Sequence, residues 1–330
     1  MSLRIIRPNP GHIILPRRFV DVEVPQGKIG VQGKFRLKSF YPAAVKADGS
    51  VAADGVIRET PWFSNLILDA GLNQWGTGGI IAGAAIGTGS SAPAVGQTQL
   101  DTLAHWTTTA GTGHNTFSAA GASPYNNQRV HVYRTTLGAL NGNYTEVGAG
   151  WGSTTLFSRE LIRDALGDPT TFPVTSDQQV DIEYALQVYP PLTDFTDTIT
   201  ITGSGNHDVT GRAAHVNSSS HWGVNSSSYI YLAAPYSVVY NGAIGVITSG
   251  PSGSTGSVPS ATSDTYINNS LTRTGYCSFG LTAGNLSGGI RSIVASWGGT
   301  AAFQYEYDPV IAKDGTKTLV LNFSTSWARH

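Results

Sequence analysis

Apolar and polar residues alternate with a period of two along several stretches of the chain, which is the pattern of a β-strand with one buried face. The clearest stretch is 180–188, where apolar side chains alternate with Asp181, Glu183 and Gln187. This pattern predicts a strand whose acidic face is hydrated. Weaker alternation predicts further strands within residues 29–41, 130–132, 199–201, 303–307 and 319–327. The turn signal Asp314-Gly315 separates the last two and predicts a closing β-hairpin.

Helical spacing is confined to short segments. Residues 64–75 are the best candidate, because Leu68, Leu72 and Trp75 share one helical face and Ser64 is placed to cap the first turn. A Gly/Ala-rich stretch at 80–87 resembles a strand, and shorter helices are predicted over 97–105 and 157–166. The segments 203–228 and 248–265 are rich in small polar residues and predict long surface loops.

The composition favours strands and turns over long helices. Glycine accounts for 40 of 330 residues, and Gly, Ser, Thr and Asn are poor helix formers. Charged residues make up 12% of the chain, against about 25% in an average protein. We therefore predict a mainly β fold, with a β-sandwich-like body, one or two short helices and an extended N-terminal arm.

The chain length suggests two domains and an arm. Residues 1–46 form a basic, proline-punctuated arm and the first strand. Residues 47–190 are expected to form a β-rich domain with the short helices. Residues 191–330 are expected to form a second β-rich domain with long polar loops and the C-terminal hairpin.

Positive charge is concentrated at the start of the chain. Residues 1–46 carry nine basic and two acidic residues, whereas residues 47–312 carry eight arginines, no lysine and eighteen acids. A solvated basic face explains this pattern as well as docking onto an acidic protein surface or a neighbouring subunit does. Nucleic acid is a weaker alternative, because no nucleic-acid-binding motif accompanies the charge. The candidate docking residues are Arg4, Arg7, Arg17 and Arg18.

Motifs for catalysis or cofactor binding do not occur in the sequence. It contains neither a Gly-Lys-Ser/Thr phosphate loop nor a Gly-x-Ser-x-Gly elbow. His207, His215 and His221 match no zinc spacing, so we expect them to form local hydrogen bonds. A depolymerase needs two carboxylates around a sugar, and Asp181 with Glu183 is the clearest pair, although the wet side of a strand is the simpler explanation. We predict a protein without enzymatic activity, metal or cofactor.

Membrane insertion and disulfide formation are not expected. Cys277 is the single cysteine and lies in a strand-like stretch, which predicts a buried thiol. The first residues lack the apolar core of a signal peptide. The sequence contains no stretch of about 18 apolar residues, so no membrane span is predicted. Synthesis and folding in a cytoplasm are therefore expected.

Aromatic residues cluster between the Ser/Asn-rich stretches around residue 225. Aromatic rings beside polar groups suit contact with a glycan or another protein. Anchoring of strands in a core or a subunit interface is the alternative, and it is favoured for most of them. The candidate contact residues are His221, Trp222, Tyr229 and Tyr231.

Two groups of three motifs carry a resemblance to a known family. Residues 65–72 read Asn-Leu-Ile-Leu-Asp-Ala-Gly-Leu, residues 86–95 read Ile-Gly-Thr-Gly-Ser-Ser-Ala-Pro-Ala-Val, and residues 98–100 read Thr-Gln-Leu. Near the end, residues 305–309 read Tyr-Glu-Tyr-Asp-Pro, residues 313–319 read Lys-Asp-Gly-Thr-Lys-Thr-Leu, and residues 326–329 read Ser-Trp-Ala-Arg. In this order they resemble tail-associated structural proteins of tailed bacteriophages, over less than a quarter of the chain.

The resemblance implies a structural role in a virion and no chemistry. We expect a component of the tail tip, baseplate or tail fibre, located in the virion tail and assembled in the bacterial host cytoplasm. The expected partners are copies of the chain itself, as a trimer or hexamer, other phage tail proteins, and a host-surface glycan or protein. The alternatives are a capsid decoration or head-fibre protein, and a glycan-binding or depolymerising receptor-binding protein.

Overall fold

The computed structural model describes residues 26–224, 229–234 and 237–330. These residues form strands connected by turns, with two α-helices of six and four residues, α1 (Asp69–Gln74) and α2 (Ser219–Trp222), and two single-turn 3₁₀ helices at Pro42–Ala44 and Ala53–Gly55. The prediction of a mainly β, sandwich-like body with one or two short helices is confirmed. The strands are β1 (Gln26–Phe40), β2 (Val56–Glu59), β3 (Phe63–Ser64), β4 (Leu66–Ile67), β5 (Gly83–Gly87), β6 (Leu103–Thr107), β7 (Thr116–Ala119), β8 (Asn127–Arg134), β9 (Gly142–Tyr144), β10 (Glu146–Gly152), β11 (Thr155–Leu161), β12 (Phe172–Val174), β13 (Gln179–Tyr189), β14 (Phe195–Ile201), β15 (Gly205–Ala213), β16 (Val238–Tyr240), β17 (Thr255–Ser257), β18 (Ser260–Ser263), β19 (Thr272–Phe279), β20 (Ile290–Trp297), β21 (Ala301–Ile311) and β22 (Leu319–Arg329).

The largest sheet is built around β1. Its strands follow the order β18-β19-β22-β1-β13-β8-β7, and β2 and β3 also pair with β1. Strand β1 runs antiparallel to β13 over eleven residue pairs and parallel to β22 over six. Its alternating apolar residues lie on one fully buried face, as the period-two pattern predicts. The first and last described strands are therefore neighbours.

Two further sheets and a small hairpin complete the body. The five-stranded sheet has the order β4-β11-β10-β5-β6, and the six-stranded sheet has the order β14-β15-β21-β20-β16-β17. Strands β9 and β12 form a separate pair. One continuous apolar core joins the layers. Within it, Tyr305 of the six-stranded sheet lies 5.1 Å from Phe323 of the large sheet, measured between ring centroids, so the two sheets pack face to face.

Most of the predicted helix at 64–75 is sheet. Helix α1 begins after Leu68, and Ser64 lies in β3, so the predicted cap at Ser64 is wrong. Sheet pairing takes the backbone upstream of the helix, because β3 pairs with β1 and β4 pairs with β11. The helices predicted at 97–105 and 157–166 are also wrong. Those segments contain β6 and β11, whose backbones pair with neighbouring strands of the five-stranded sheet.

The predicted C-terminal hairpin is wrong, although both of its strands exist. Strand β21 pairs with β15 and β20 in the six-stranded sheet, whereas β22 pairs with β1 and β19 in the large sheet. The turn at Asp314 therefore carries the chain from one layer to the other. Its carboxylate accepts hydrogen bonds from the backbone and hydroxyl of Thr316, at 2.8 and 2.5 Å.

The predicted long loops contain regular structure. Strand β15 and helix α2 lie within 203–228, and β17 and β18 lie within 248–265. The alternation in these strands is hidden in the sequence by their small polar residues, which do not mark a buried face. Residues 225–228 of the first predicted loop lie outside the described residues.

Strand pairing crosses both predicted domain boundaries. The large sheet contains β1 from 1–46, β7, β8 and β13 from 47–190, and β18, β19 and β22 from 191–330. The division into domains stays a prediction, but its parts share one sheet and one core. Of the predicted arm, residues 1–25 lie outside the described residues, and residues 26–40 form the central strand β1.

Candidate functional site

The four arginines predicted to dock the arm, Arg4, Arg7, Arg17 and Arg18, lie outside the described residues. Farther along the same basic segment, two positive charges are neutralised inside the protein. Arg36 contacts the carboxylates of Glu59 at 3.0 Å and Glu183 at 2.5 Å. Lys38 lies 2.9 Å from Glu183. Part of the basic surplus of residues 1–46 therefore stabilises the large sheet.

The acidic face of β13 is buried, so the prediction of a hydrated face is wrong. Asp181 accepts two hydrogen bonds of 2.7 Å from Arg134 of β8, and Glu183 accepts from Arg36 of β1. The hydrogen-bonded carboxylate raises the pKa of Arg134, whereas burial raises the pKa of Asp181 in spite of the same hydrogen bonds. The two carboxylates therefore form ion pairs with arginines of the adjacent strands.

The candidate aromatic residues separate into a buried and an exposed part. Trp222 is fully buried and donates a 2.8 Å hydrogen bond to the carbonyl of Ala214, so its assignment as a surface-contact residue is wrong. Tyr229 and Tyr231 are 39% and 36% exposed, with ring centroids 5.1 Å apart. The guanidinium of Arg273 lies 5.6 Å from the Tyr229 ring centroid. These two tyrosines keep an exposed aromatic surface.

Of the three histidines of the polar segments, the structure brings His215 and His221 into contact. His207 contacts the Ser204 hydroxyl at 2.9 Å and the Pro309 carbonyl at 2.5 Å. The half-buried His221 ring stacks on His215 with 4.4 Å between centroids, and burial with the nearby His215 charge lowers the pKa of His221 to about 4. In the described ranges, no group of three His, Cys, Asp or Glu side chains is placed to hold a metal.

Two of the segments that carry the phage-tail resemblance, 65–72 and 326–329, are in contact. The indole of Trp327, near the chain end, donates a 2.7 Å hydrogen bond to the carbonyl of Leu72. Arg329 donates to the carbonyl of Ile67 at 2.6 Å and pairs with the carboxylate of Asp69. Gly71 lets α1 approach β11, because a side chain there would collide with the backbone of Phe157. The segments 65–72 and 326–329 thus form one structural unit.

The adjacent segment 87–102, which we name the anchored loop, is held by a buried carboxylate. Glu146 is completely buried and accepts hydrogen bonds of 2.8 to 3.0 Å from the backbone of Gly89, Asp101 and Thr102. A side chain at Gly89 would collide with this carboxylate. The loop is closed at both of its ends by a single glutamate.

A buried arginine completes the anchor. Arg159 of β11 is fully buried and lies 2.9 Å from Glu146 and 3.0 Å from Asp101. Its hydrogen bond to Asp101, together with one from Ser91, lowers the pKa of that carboxyl to about 2. A buried ion pair with several hydrogen bonds is costly to break, because the remaining charge would be unpaired. The loop is therefore held in one conformation.

Apart from Asp101, which pairs with Arg159, the anchored loop presents a fixed surface without charged side chains. Residues 70–100 contain no charged side chain, and Ser90, Ala92, Val95 and Gln99 are exposed along the loop. The loop also joins the motif unit, since the amide of Asp69 donates a 2.8 Å hydrogen bond to the carbonyl of Val95. A preorganised surface loses little entropy on binding, which suits contact with another protein.

Sequence reasoning missed Glu146 and Arg159. A usable signal exists for Glu146, because it is the one charged residue of an otherwise apolar and Gly-rich strand, and a buried charge requires a partner. Arg159 gives no such signal, because its strand also contains Ser158 and the charged Glu160. The sequence does not show which partner is chosen. Cys277 is buried as predicted, and burial raises the pKa of its thiol to about 12.

Comparison with known proteins adds no relative. No family model, curated protein or solved structure matches the chain. None of the helices in the part of the chain that the structure describes has the length and hydropathy needed to cross a membrane.

Proposed function

We propose that the chain is a non-enzymatic structural protein of a tailed-phage virion, located in the tail tip, baseplate or tail fibre. In this role it assembles in the bacterial host cytoplasm with copies of itself, as a trimer or hexamer, and with other tail proteins. A capsid decoration or head-fibre position is the alternative location.

One observation carries this proposal: of the segments that resemble tail proteins, 86–95 and 326–329 both form hydrogen bonds with 65–72. Trp327 and Arg329 contact the segment 67–72 across more than 250 positions of the chain, and the anchored loop is hydrogen-bonded to the same segment through Val95. This unit includes the exposed loop residues 90–99, which carry no charged side chain, and such a surface suits packing against neighbouring subunits.

The proposal is tested on phage particles. Antibodies against the purified chain should label the tail in electron micrographs, and its peptides should be found in gradient-purified particles. The purified chain should have a native mass of three or six times 34.7 kDa by light scattering. Labelling of the head would favour the decoration alternative, and absence from particles would overturn the virion assignment.

Host contact through a glycan is a second candidate, supported by the exposed pair Tyr229 and Tyr231. Tyrosine rings combine an apolar face with a polar hydroxyl, as sugar recognition requires. Replacement of both residues by alanine should lower adsorption of the purified protein to host cells. Tyr41→Ala is the matched control, because Tyr41 is also exposed but lies at the end of β1. Equal adsorption by all three proteins would reject this candidate.

A further inference from the structure

An open cleft of about 660 Å³ lies between residues 61–66 and the turn at 163–167. Its apolar wall includes Trp62, Leu66 and Leu166. Leu166 is 87% exposed, the highest fraction among the large apolar residues of the described ranges, and Trp62 is 36% exposed. The Arg36 guanidinium lies 4.6 Å from the centroid of the Trp62 ring, so Leu166 provides most of the exposed apolar surface of the cleft.

The turn that carries Leu166 is held by hydrogen bonds. The carboxylate of Asp164 accepts from the amides of Leu166 at 2.9 Å and Asp168 at 3.0 Å. The guanidinium of Arg163 donates to the carbonyl of Gly167 at 2.8 Å. The backbone that carries Leu166 is therefore held in one conformation, which reduces the backbone entropy that binding would cost.

The cleft is weakly acidic at its rim. Arg163 is the one basic side chain among its lining residues, and it lies 2.7 Å from Glu160. Asp164 then carries the remaining negative charge of the lining, and the exposed Asp168 follows at the end of the same turn. A fitting partner presents apolar side chains for the wall and positive charge for this rim.

Residues 13–18 of this chain have that chemistry. They read Ile-Ile-Leu-Pro-Arg-Arg, with three large apolar residues followed by two arginines. Pro16 has no backbone donor, which disfavours adding this segment to a sheet as a central strand. Side-chain insertion into a cleft makes no such demand on the backbone.

The path along β1 favours a neighbouring copy as the source of the segment. The cleft lies beside β3, which pairs with Lys34 and Phe35, about 26 Å along β1 from Gln26. Eight Cα–Cα steps separate Arg18 from Gln26, and they span at most about 29 Å when fully extended. One edge of β1 is paired along this path by β22, β3 and β2, and the other edge is paired by β13 from Gly30 onward. A return within one chain would therefore need almost the full extended length of this linker.

We infer that residues 13–18 of one copy bind in the Trp62–Leu166 cleft of a second copy, with the apolar residues against the wall and Arg17 and Arg18 at Asp164 and Asp168. This exchange would link subunits in series or close them into a ring. The inference rests on the self-association in the proposed function and identifies the surfaces that produce it.

Disulfide trapping in the full-length chain tests this arrangement. The double variant Ile14→Cys/Leu166→Cys should form disulfide-linked dimers and larger species under mild oxidation, read on non-reducing gels and by mass spectrometry of the linked peptides. The control is Ile14→Cys/Ile267→Cys, because Ile267 is 74% exposed but lies far along the chain from the cleft. Bound segments have a high effective concentration, so we expect about tenfold more linked dimer than in the control. The native Cys277 is buried and does not compete.

Light scattering of the unmodified protein separates the possible failures. If the unmodified protein is an oligomer, two results overturn the cleft inference and leave the proposed self-association intact: the double variant gives no more linked dimer than the control, or its disulfide forms within a single chain. A monomer overturns both. Loss of the oligomer in Trp62→Ala/Leu166→Ala, with an unchanged circular dichroism spectrum, supports the inference by a second route.

Discussion

Strands β13 and β14 have similar alternating sequences, but only β14 has an exposed face. In β13 every residue from Val180 to Val188 is buried, whereas in β14 the threonines between Phe195 and Ile201 are exposed. Strand β13 lies inside the large sheet between β1 and β8, while β14 is an edge strand paired with β15. An alternating pattern shows which residues share a face, and the neighbouring strands decide whether the polar face is covered.

Cross-strand partners make the burial of β13 tolerable. Asp181 forms a salt bridge with Arg134, and Glu183 forms one with Arg36. The side-chain amide of Gln187 donates a 2.9 Å hydrogen bond to Gln128. On β14, the hydroxyls of Thr198 and Thr200 contact Asp208 and Asn206 on exposed β15 positions. The same kinds of polar contact are therefore buried in one strand and hydrated in the other, and their removal should have different consequences.

The largest difference is expected in the apolar faces. Ile182→Ala should lower the free energy of unfolding by about 4 kcal/mol, because Ile182 is completely buried and truncation leaves a cavity. Ile199→Ala on β14 should cost about 1 kcal/mol, because Ile199 is only partly buried. Urea unfolding followed by tryptophan fluorescence measures both. Similar losses would show that β14 is covered in the folded protein, for example by another subunit.

The ion pairs should give the next largest difference. Asp181→Ala should cost about 3 kcal/mol, because it leaves the partly buried Arg134 without its bidentate partner. Asp197→Ala on β14 should change stability by less than about 0.5 kcal/mol. In the double variant Asp181→Ala/Arg134→Met the unpaired charge is removed, so part of the lost stability should return. No recovery would show that the loss comes from packing and not from the unpaired charge.

The fold class could be predicted from the sequence because alternation is a local signal. The parity of Ile29, Val31, Phe35 and Leu37 identifies the buried face of β1, and it depends only on strand geometry. The pairing of strands depends on residues far away in the chain. Asp314-Gly315 is a correct turn signal, but the sequence does not show that its two strands enter different sheets.

The candidate site was less predictable for the same reason. Glu146 binds Gly89, 57 positions earlier in the chain, and Asp101, 45 positions earlier. No local pattern encodes these distances. The false helix at 97–105 shows the consequence, because the carboxylate of Glu146 and the β5–β6 pairing fix this backbone in another conformation. The prediction that Trp222 is a surface-contact residue was wrong for another reason. This aromatic residue lies between polar stretches of the sequence, but its ring packs against Phe303 of the six-stranded sheet and is buried.

For the anchored loop we expect a loss of stability on mutation that lies between the losses expected for the ion pairs of β13 and for the exposed face of β14. Asp101 has a pKa lowered to about 2 by its hydrogen bonds from Arg159 and Ser91. Its stabilisation is fully present above pH ~4 and is lost as the pH falls toward 2. Because Asp101 is exposed to solvent, screening reduces this contribution, so Asp101→Asn should be less stable than the unmodified protein by about 1 kcal/mol at pH 7. Urea unfolding at several pH values should show this difference shrinking in acid, and a constant difference would assign the loss to packing.

The smallest effect is expected beside β14, at the exposed pair of Asp194 and Arg212. The hydrogen bond from Arg212 lowers the pKa of Asp194, so the pair stabilises the fold above the ordinary pKa of aspartate and ceases to do so as the pH falls below it. Because both side chains are about one third exposed, solvent screening should limit the loss in Asp194→Asn to less than about 0.5 kcal/mol at pH 7. The measurement is the same pH series of urea unfolding. A loss as large as that of Asp181→Ala would mean that the edge at β14 is buried in an assembly. The difference in exposure between β13 and β14 would then exist only in the isolated chain.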